Sequence, residues 1–160
     1  MDAGEPRSLL TVFARILAGE LPASFVWQDD RCAAFLDINP VSRGHALVIP
    51  KRSVQHLSEL TTEELAHLWQ VAREIGSAQQ AGLGSLAQHF LVNDGRAASQ
   101  SVPHVHIHVI PRYRGDRVKT LSRILWHLGT LMLPAIERPA KRRRLDATAK
   151  AIADAMPPRA

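Results

Sequence analysis

The chain has 160 residues, 46% hydrophobic and 22% charged, proportions ordinary for one soluble globular domain with a real core. Its net charge of +5 admits an anionic partner, but the basic residues are uneven: Lys141 to Arg144 form one run, KRRR, whose plain reading is a solvated loop, with nuclear targeting, membrane attraction or nucleic-acid contact as alternatives. The single cysteine, Cys32, excludes an internal disulfide, fits a reducing compartment and is expected as a buried, inert thiol.

Residues 1–7 read as a loose end, without the basic and apolar regions of a signal peptide. SLLTVFARILAG then predicts a helix: Leu9, Phe13, Ile16 and Leu17 fall near helical spacing and Gly19 stops it. SFVWQ, RCAAFLD and HALVIPK are short apolar runs that predict three strands, the last two separated by the loop DINPVSRG. LTTEELAHLWQVAREIGSA is the clearest helix: Thr61 and Glu64 form a capping box, Leu60 can staple to Leu65, and Leu65, Leu68, Ala72 and Ile75 make one apolar stripe. HFLVN predicts a strand. The polar connection DGRAASQSVP leads into a further strand, ended by Pro111, so the two strands can pair antiparallel. Beyond it, KTLSRILWHLGTLML has no clear period, and RLDATAKAIADAM predicts a short amphipathic helix. The longest apolar stretch, ILWHLGTLMLP from Ile124, is too short and interrupted to span a bilayer. No membrane partner and a cytoplasmic location are therefore expected. Short strand connections and segregated helices predict an α+β fold on an antiparallel sheet.

The last strand carries the chemistry. In SVPHVHIHVIPRY, His104, His106 and His108 alternate with Val105, Ile107 and Val109. Strand side chains alternate faces, so the aliphatic residues can bury on a core while three imidazoles line the other face. A half-exposed strand with incidental histidines is the bland reading. One sharper reading is metal: an H-x-H pair is a zinc fragment that needs further ligands, with His45, His56, Asp37 and Asp94 as candidates. The other is phosphate chemistry. Imidazole supplies a nucleophile and cationic donors, and the loop before it brings Asn93, Gly95, Ser99, Gln100 and Ser101 to cradle phosphate oxygens.

The pattern His-φ-His-φ-His-φ-φ, φ being apolar, runs without mismatch from His104 to Ile110 and resembles the signature of the histidine triad family of nucleotide hydrolases and transferases. ILAGELP, DDRCAAFLDINPVSRGHALVIPK and NDGRAASQSVPHVHIHVIPRY resemble further family segments in the same order, over about residues 8–117. The resemblance implies a histidine triad domain over 8–117 and a C-terminal extension over 118–160. It implies an α+β fold with a five-stranded antiparallel sheet and two main helices, usually a homodimer. It also implies a purine nucleotide substrate cleaved at the α-phosphate through a nucleotidyl-histidine.

Position by position, the resemblance makes His106 the nucleophile, His108 a phosphate contact, and His104 and His45 the network that orients the ring. Asn93 and Ser101 resemble phosphate and leaving-group contacts, with the Ser99 backbone as a further donor. Asp37 resembles the acid that grips the ribose, and Phe13, Ile16, Phe35 and Ile38 the base pocket, although by themselves those four read as core. Many bacterial members hold a structural zinc with C-x-x-C, a later histidine and the first triad histidine. Here Thr11, Ala14 and Ser53 stand at the other three positions, so neither metal nor cofactor is expected. Nucleic acid is not expected as a partner. Substrate preference stays open between nucleoside phosphoramidates (Hint-like) and dinucleoside polyphosphates (Fhit-like), and a nucleotide-binding scaffold with incidental turnover is the reading from another class.

Overall fold

The computed structural model describes residues 11–116, Ser122 and residues 138–158. The expected loose end, Leu9 and, apart from Ser122, the apolar segment 119–133 with Trp126 lie outside the described residues. The elements are α1 (Val12–Leu17), β1 (Phe25–Gln28), β2 (Cys32–Leu36), β3 (Ala46–Pro50), α2 (Thr62–Leu83), β4 (Ala87–Val92), β5 (Ile107–Arg112) and α3 (Pro139–Ala153). The strands form one five-stranded sheet in the order β1-β2-β3-β5-β4, and each neighbouring pair is antiparallel. This is the α+β architecture that the strand and helix patterns predict.

Period-two alternation divides the sheet into two faces. Cys32, Ala34, Leu36, Ala46, Val48, Val105, Ile107 and Val109 point to one side, where they bury with Leu68, Val71, Ala72 and Ile75 of α2. Ala33, Phe35, Leu47 and Ile49 point to the other and bury with Phe13 of α1. The second cluster is the smaller, and it leaves one part of its face to the histidines.

Local signals set the helix ends. Thr61 and Glu64 form the capping box, and Gly84, at φ 70°, closes α2 in the left-handed conformation that glycine adopts without penalty. α2 runs to Leu83, five residues beyond Ala78 where the predicted helix ends, because Gln79 and its neighbours stay against the sheet. Among the stripe residues, Leu68, Ala72 and Ile75 are buried, while Leu65 is half-buried. α1 is short and capped by Thr11, whose hydroxyl accepts from the Ala14 amide at 3.1 Å.

Three expectations need correction. The ladder of the histidine strand begins at Ile107, so His104 and His106 precede it. The pairing of β5 with β3 spans only Val48↔Ile107 to Ala46↔Val109, and Val105 instead donates to the Val54 carbonyl at 2.8 Å. Pro111 does not end the strand, which continues to Arg112. The ladder with β3 has already finished at Val109, so a missing amide there removes no rung on that side. Lastly, KRRR is not a loop. Pro139 starts α3 and the basic run forms its opening turns, where Arg142 donates to Ser24 Oγ (3.1 Å) and the Pro22 carbonyl (3.2 Å).

α3 also bears on the division at residue 117. Leu145, Ala149 and Ile152 are buried in the same cluster as α2 and the sheet. Gly82 of α2 lies so close to α3 that a Cβ there would strike the Ala151 carbonyl. The third helix therefore completes the main core. Among the described residues, no helix is long and apolar enough to cross a membrane.

Candidate active site

The three triad histidines lie on the α1 face of the sheet and are all buried. Their rings are held by different acceptors, and those acceptors assign the protons. His104 Nε2 lies 2.9 Å from the Pro50 carbonyl, which can only accept, so Nε2 carries hydrogen. Its Nδ1 is then an acceptor, and Thr11 Oγ1 stands 3.3 Å away to donate. Burial pushes the His104 pKa down, against a smaller opposing effect of the Pro50 hydrogen bond, so this ring is neutral near pH 7.

His106 Nδ1 lies 2.8 Å from the main-chain carbonyl of His104, so it must donate there. The neutral His106 ring then has its lone pair on Nε2. Phe13 packs edge-on against both rings, 5.8 Å from His104 and 5.2 Å from His106 between centroids.

The next pair follows the same logic. The Val41 amide donates to His45 Nδ1 at 3.3 Å, which leaves the His45 hydrogen on Nε2. That nitrogen is 2.9 Å from His108 Nδ1, which accepts, so His108 presents an N–H at Nε2. The His106 and His108 rings are 4.8 Å apart between centroids. A lone pair thus stands beside a hydrogen donor, the pairing needed to attack a phosphoryl centre and steady its oxygens.

Asp37 follows the last residue of β2. Its Oδ1 accepts from the Asn39 amide at 2.8 Å, and Oδ2 is 3.7 Å from His45 Nδ1. The loop from Asn93 to Ser101 is fixed by Gln100: its Oε1 accepts from Gly95 N (2.9 Å) and its Nε2 donates to the Gln55 carbonyl (2.8 Å). Asn93 is half-buried, and Ser99 and Ser101 are exposed. The Ser99 backbone, expected as a further phosphate donor, has its amide engaged within the loop. Ser99 closes a short helical turn with φ 65°, and its amide is bonded to the Arg96 carbonyl at 3.0 Å.

Phe13, Phe35 and Ile16 gather in the cluster bordering the histidines, with Phe13 and Phe35 edge to face at 5.6 Å. Ile38 does not join them. It lies past the end of β2 and packs against the cluster on the α2 face. Of the other metal-ligand candidates, His45 and Asp37 meet His108 within a 4.8 Å group, whereas His56 and Asp94 bind each other at the surface at 3.0 Å.

The zinc set implied by the resemblance does not fit. Thr11 and Ser53 are poor zinc donors, Ala14 is none, and both His104 ring nitrogens already have partners. The Thr11 hydroxyl fills part of that place with a hydrogen bond. Sequence reasoning noted Thr11 only as a missing cysteine and did not reach the Pro50 carbonyl or Gln79. Gln79 was findable: it falls four residues after Ile75 on the apolar stripe, where a polar residue needs buried partners.

Known proteins resemble this chain in sequence and fold. The HIT domain family model matches residues 18–115. An uncharacterised HIT-like protein of Mycobacterium tuberculosis is 44% identical over 107 residues, which are 67% of this chain and 74% of that protein. The adenylylsulfatase HINT3 of Arabidopsis thaliana is 40% identical over 105 residues, 66% of this chain and 53% of that protein. The crystal structure of a zinc-bound histidine triad family protein from Mycobacterium smegmatis superposes with a TM-score of 0.72 at 31% identity, covering 92% of this chain and 94% of that one. With more than half of its length matched, this chain belongs to the HIT domain, or histidine triad, family, whose members are generally nucleotide hydrolases and transferases.

Proposed function

We propose that the protein hydrolyses a purine nucleoside phosphoramidate or a related nucleotide at its α-phosphate, through a nucleotidyl intermediate on His106. The observation that carries this reading is the 2.8 Å bond from His106 Nδ1 to the His104 carbonyl, which leaves the attacking lone pair on Nε2. Nε2 attacks the α-phosphorus in line, forming the N–P bond as the bond to the leaving group breaks. His108 donates to the phosphoryl oxygens, and the Asn93–Ser101 loop lies on the leaving-group side, where Ser101 supplies the departing amine with a proton. Water then attacks the adduct, one of its protons returning to Ser101 as the N–P bond breaks, which releases the nucleoside monophosphate and restores His106. Asp37 grips the ribose, and Ile16, Phe13 and Phe35 border the base.

Dinucleoside polyphosphates remain the second substrate class, and the name of the Arabidopsis relative adds adenylyl sulfate as a third. A panel of adenosine and guanosine phosphoramidates, diadenosine polyphosphates and adenylyl sulfate, compared by kcat/KM, ranks them. A nucleotidyl adduct should be recovered on His106 after acid-free quenching. His106→Ala should lose at least about 10⁴-fold in turnover while still binding nucleoside monophosphate. An adduct on His104 or His108 would overturn the mechanism. Tight monophosphate binding with negligible turnover across the panel would instead favour a scaffold. A cytoplasmic location accords with the free, buried Cys32.

A further inference from the structure

A second set of metal-binding side chains meets on the opposite side of the sheet. Asp29 lies in the β1–β2 turn, Cys32 opens β2, and His67 comes from the second turn of α2. Asp29 Oδ2 is 2.8 Å from His67 Nε2 and 3.5 Å from Cys32 Sγ, and the three donor atoms lie within 4.8 Å of one another. The carboxylate is already oriented. Its Oδ1 accepts from the amides of Arg31 (2.8 Å) and Cys32 (2.7 Å), and Trp27 Nε1 donates to Oδ2 at 2.7 Å. The indole cannot be a ligand, so it can stay as an outer hydrogen bond that aims the oxygen. Cys32 is 1% exposed, whereas the Asp29 and His67 side chains keep 17% and 21% exposure. The cluster thus has a buried sulfur side and a side that water reaches.

We propose that Asp29, Cys32 and His67 form a site for one zinc-like divalent transition metal, with water as the fourth ligand, joining α2 to the β1–β2 hairpin. A carboxylate, a thiolate and a neutral imidazole balance a charge of two, so the loaded site is neutral and suits partial burial. Sulfur and imidazole donors disfavour magnesium and calcium. On binding, the thiol proton leaves to solvent as the metal–sulfur bond forms. His67 turns its lone pair to Nε2 and keeps its hydrogen on Nδ1. Tetrahedral bonds of about 2.0–2.3 Å require the Asp29–His67 separation to open to about 3.3 Å, a small movement for a half-exposed helix side chain. The Asp37, His45 and His108 group contains no sulfur, and its two histidines are bonded to each other.

Cobalt titration of the metal-stripped protein tests this. Cys32 is the chain's only cysteine, so a sulfur-to-cobalt charge-transfer band reports this site alone. The band should saturate at one equivalent per chain, be displaced by zinc, persist in His106→Ala, and vanish in Cys32→Ser and His67→Gln. Circular dichroism checks the fold of each variant; His67→Gln, at a half-exposed position, decides the matter if Cys32→Ser does not fold. Zinc should raise the melting temperature of the wild type and not of His67→Gln. Turnover should be the same in chelator, which separates this site from the triad. Absence of the band, or its survival in His67→Gln, would make the three residues a hydrogen-bonded knot only and end the proposal.

Discussion

His104 contributes to the site through its place in a hydrogen-bond chain. The Ala14 amide donates to Thr11, Thr11 to His104, His104 to Pro50, and the His104 carbonyl receives His106. A protonated His104 would break that chain, since Nδ1 could no longer accept. Its folded pKa lies below the ordinary 6.5, because burial opposes the charged form. Between the two values the unfolded chain binds the extra proton, so this stabilisation is complete above 6.5 and is lost as pH falls through the folded pKa. Chemical denaturation across pH 7.5 to 5, conditions set about the histidine range, should show stability falling on the acid side and a smaller fall in His104→Asn. Thr11→Val removes both the cap of α1 and the His104 donor. It should cost about 1 kcal/mol by denaturation, with turnover reduced as well.

At the scale of elements, α2 and α3 hold the sheet that carries the site. Gln79 of α2 is fully buried and donates both hydrogens of its amide, to the Gly44 carbonyl at 2.9 Å and the Val109 carbonyl at 3.0 Å. Those carbonyls adjoin His45 and His108, beside the end of the three-rung β3–β5 ladder. Gln79→Leu removes both bonds and should cost roughly 1–3 kcal/mol in denaturant unfolding. Ile152→Ala, at the α3 end of the same core, should cost about 2–5 kcal/mol. Gly82→Ala forces α2 from the Ala151 carbonyl and should cost about 1–3 kcal/mol. A negligible change in Ile152→Ala would mean that α3 is not part of the cooperative core.

For the whole molecule, β4 is one of the two edge strands of the sheet, opposite β1. It carries Phe90 and Leu91 exposed at 42% and 43%, and Trp69 of α2 lies beside Phe90 with ring centroids 6.3 Å apart. The neighbour of Trp69, Leu68, is by contrast buried in the core. An exposed apolar edge strand is an assembly surface unless something covers it. The homodimer implied by the family resemblance is proposed to use this edge. Sedimentation should give a mass near twice 17.7 kDa, and Phe90→Glu should shift it towards the monomer. Truncation after Asp116 should lower the melting temperature sharply, because it removes Leu145, Ala149 and Ile152 from the core; an unchanged melting curve would contradict the packing role of α3.

The sequence by itself determined what depends on near neighbours along the chain. Alternation sent Val105, Ile107 and Val109 to one face and the histidines to the other. Thr61, Glu64 and Gly84 fixed the ends of α2, and the order of apolar runs defined the antiparallel strands. Tertiary structure decided what depends on groups far apart in sequence. Whether His106 keeps its lone pair on Nε2 is legible in two residues of one short segment once the backbone is folded, but the ring that positions that backbone is fixed by Pro50, 54 residues away. The proton on His108 depends on His45, and that on His45 depends on the Val41 amide. That Ile38 packs against the cluster on the α2 face, and that the Ser99 amide meets the Arg96 carbonyl in a left-handed turn, are likewise set by the folded backbone. KRRR alone cannot show that it starts a core helix, because the apolar residues that bury α3 come later and their partners lie on α2 and the sheet. Nor can sequence spacing show that Asp29, Cys32 and His67 meet: their donor atoms converge only when α2 packs on the β1–β2 hairpin. Local periodicity chooses the face of an element, while the partner each polar atom finds is set by the packing of distant elements.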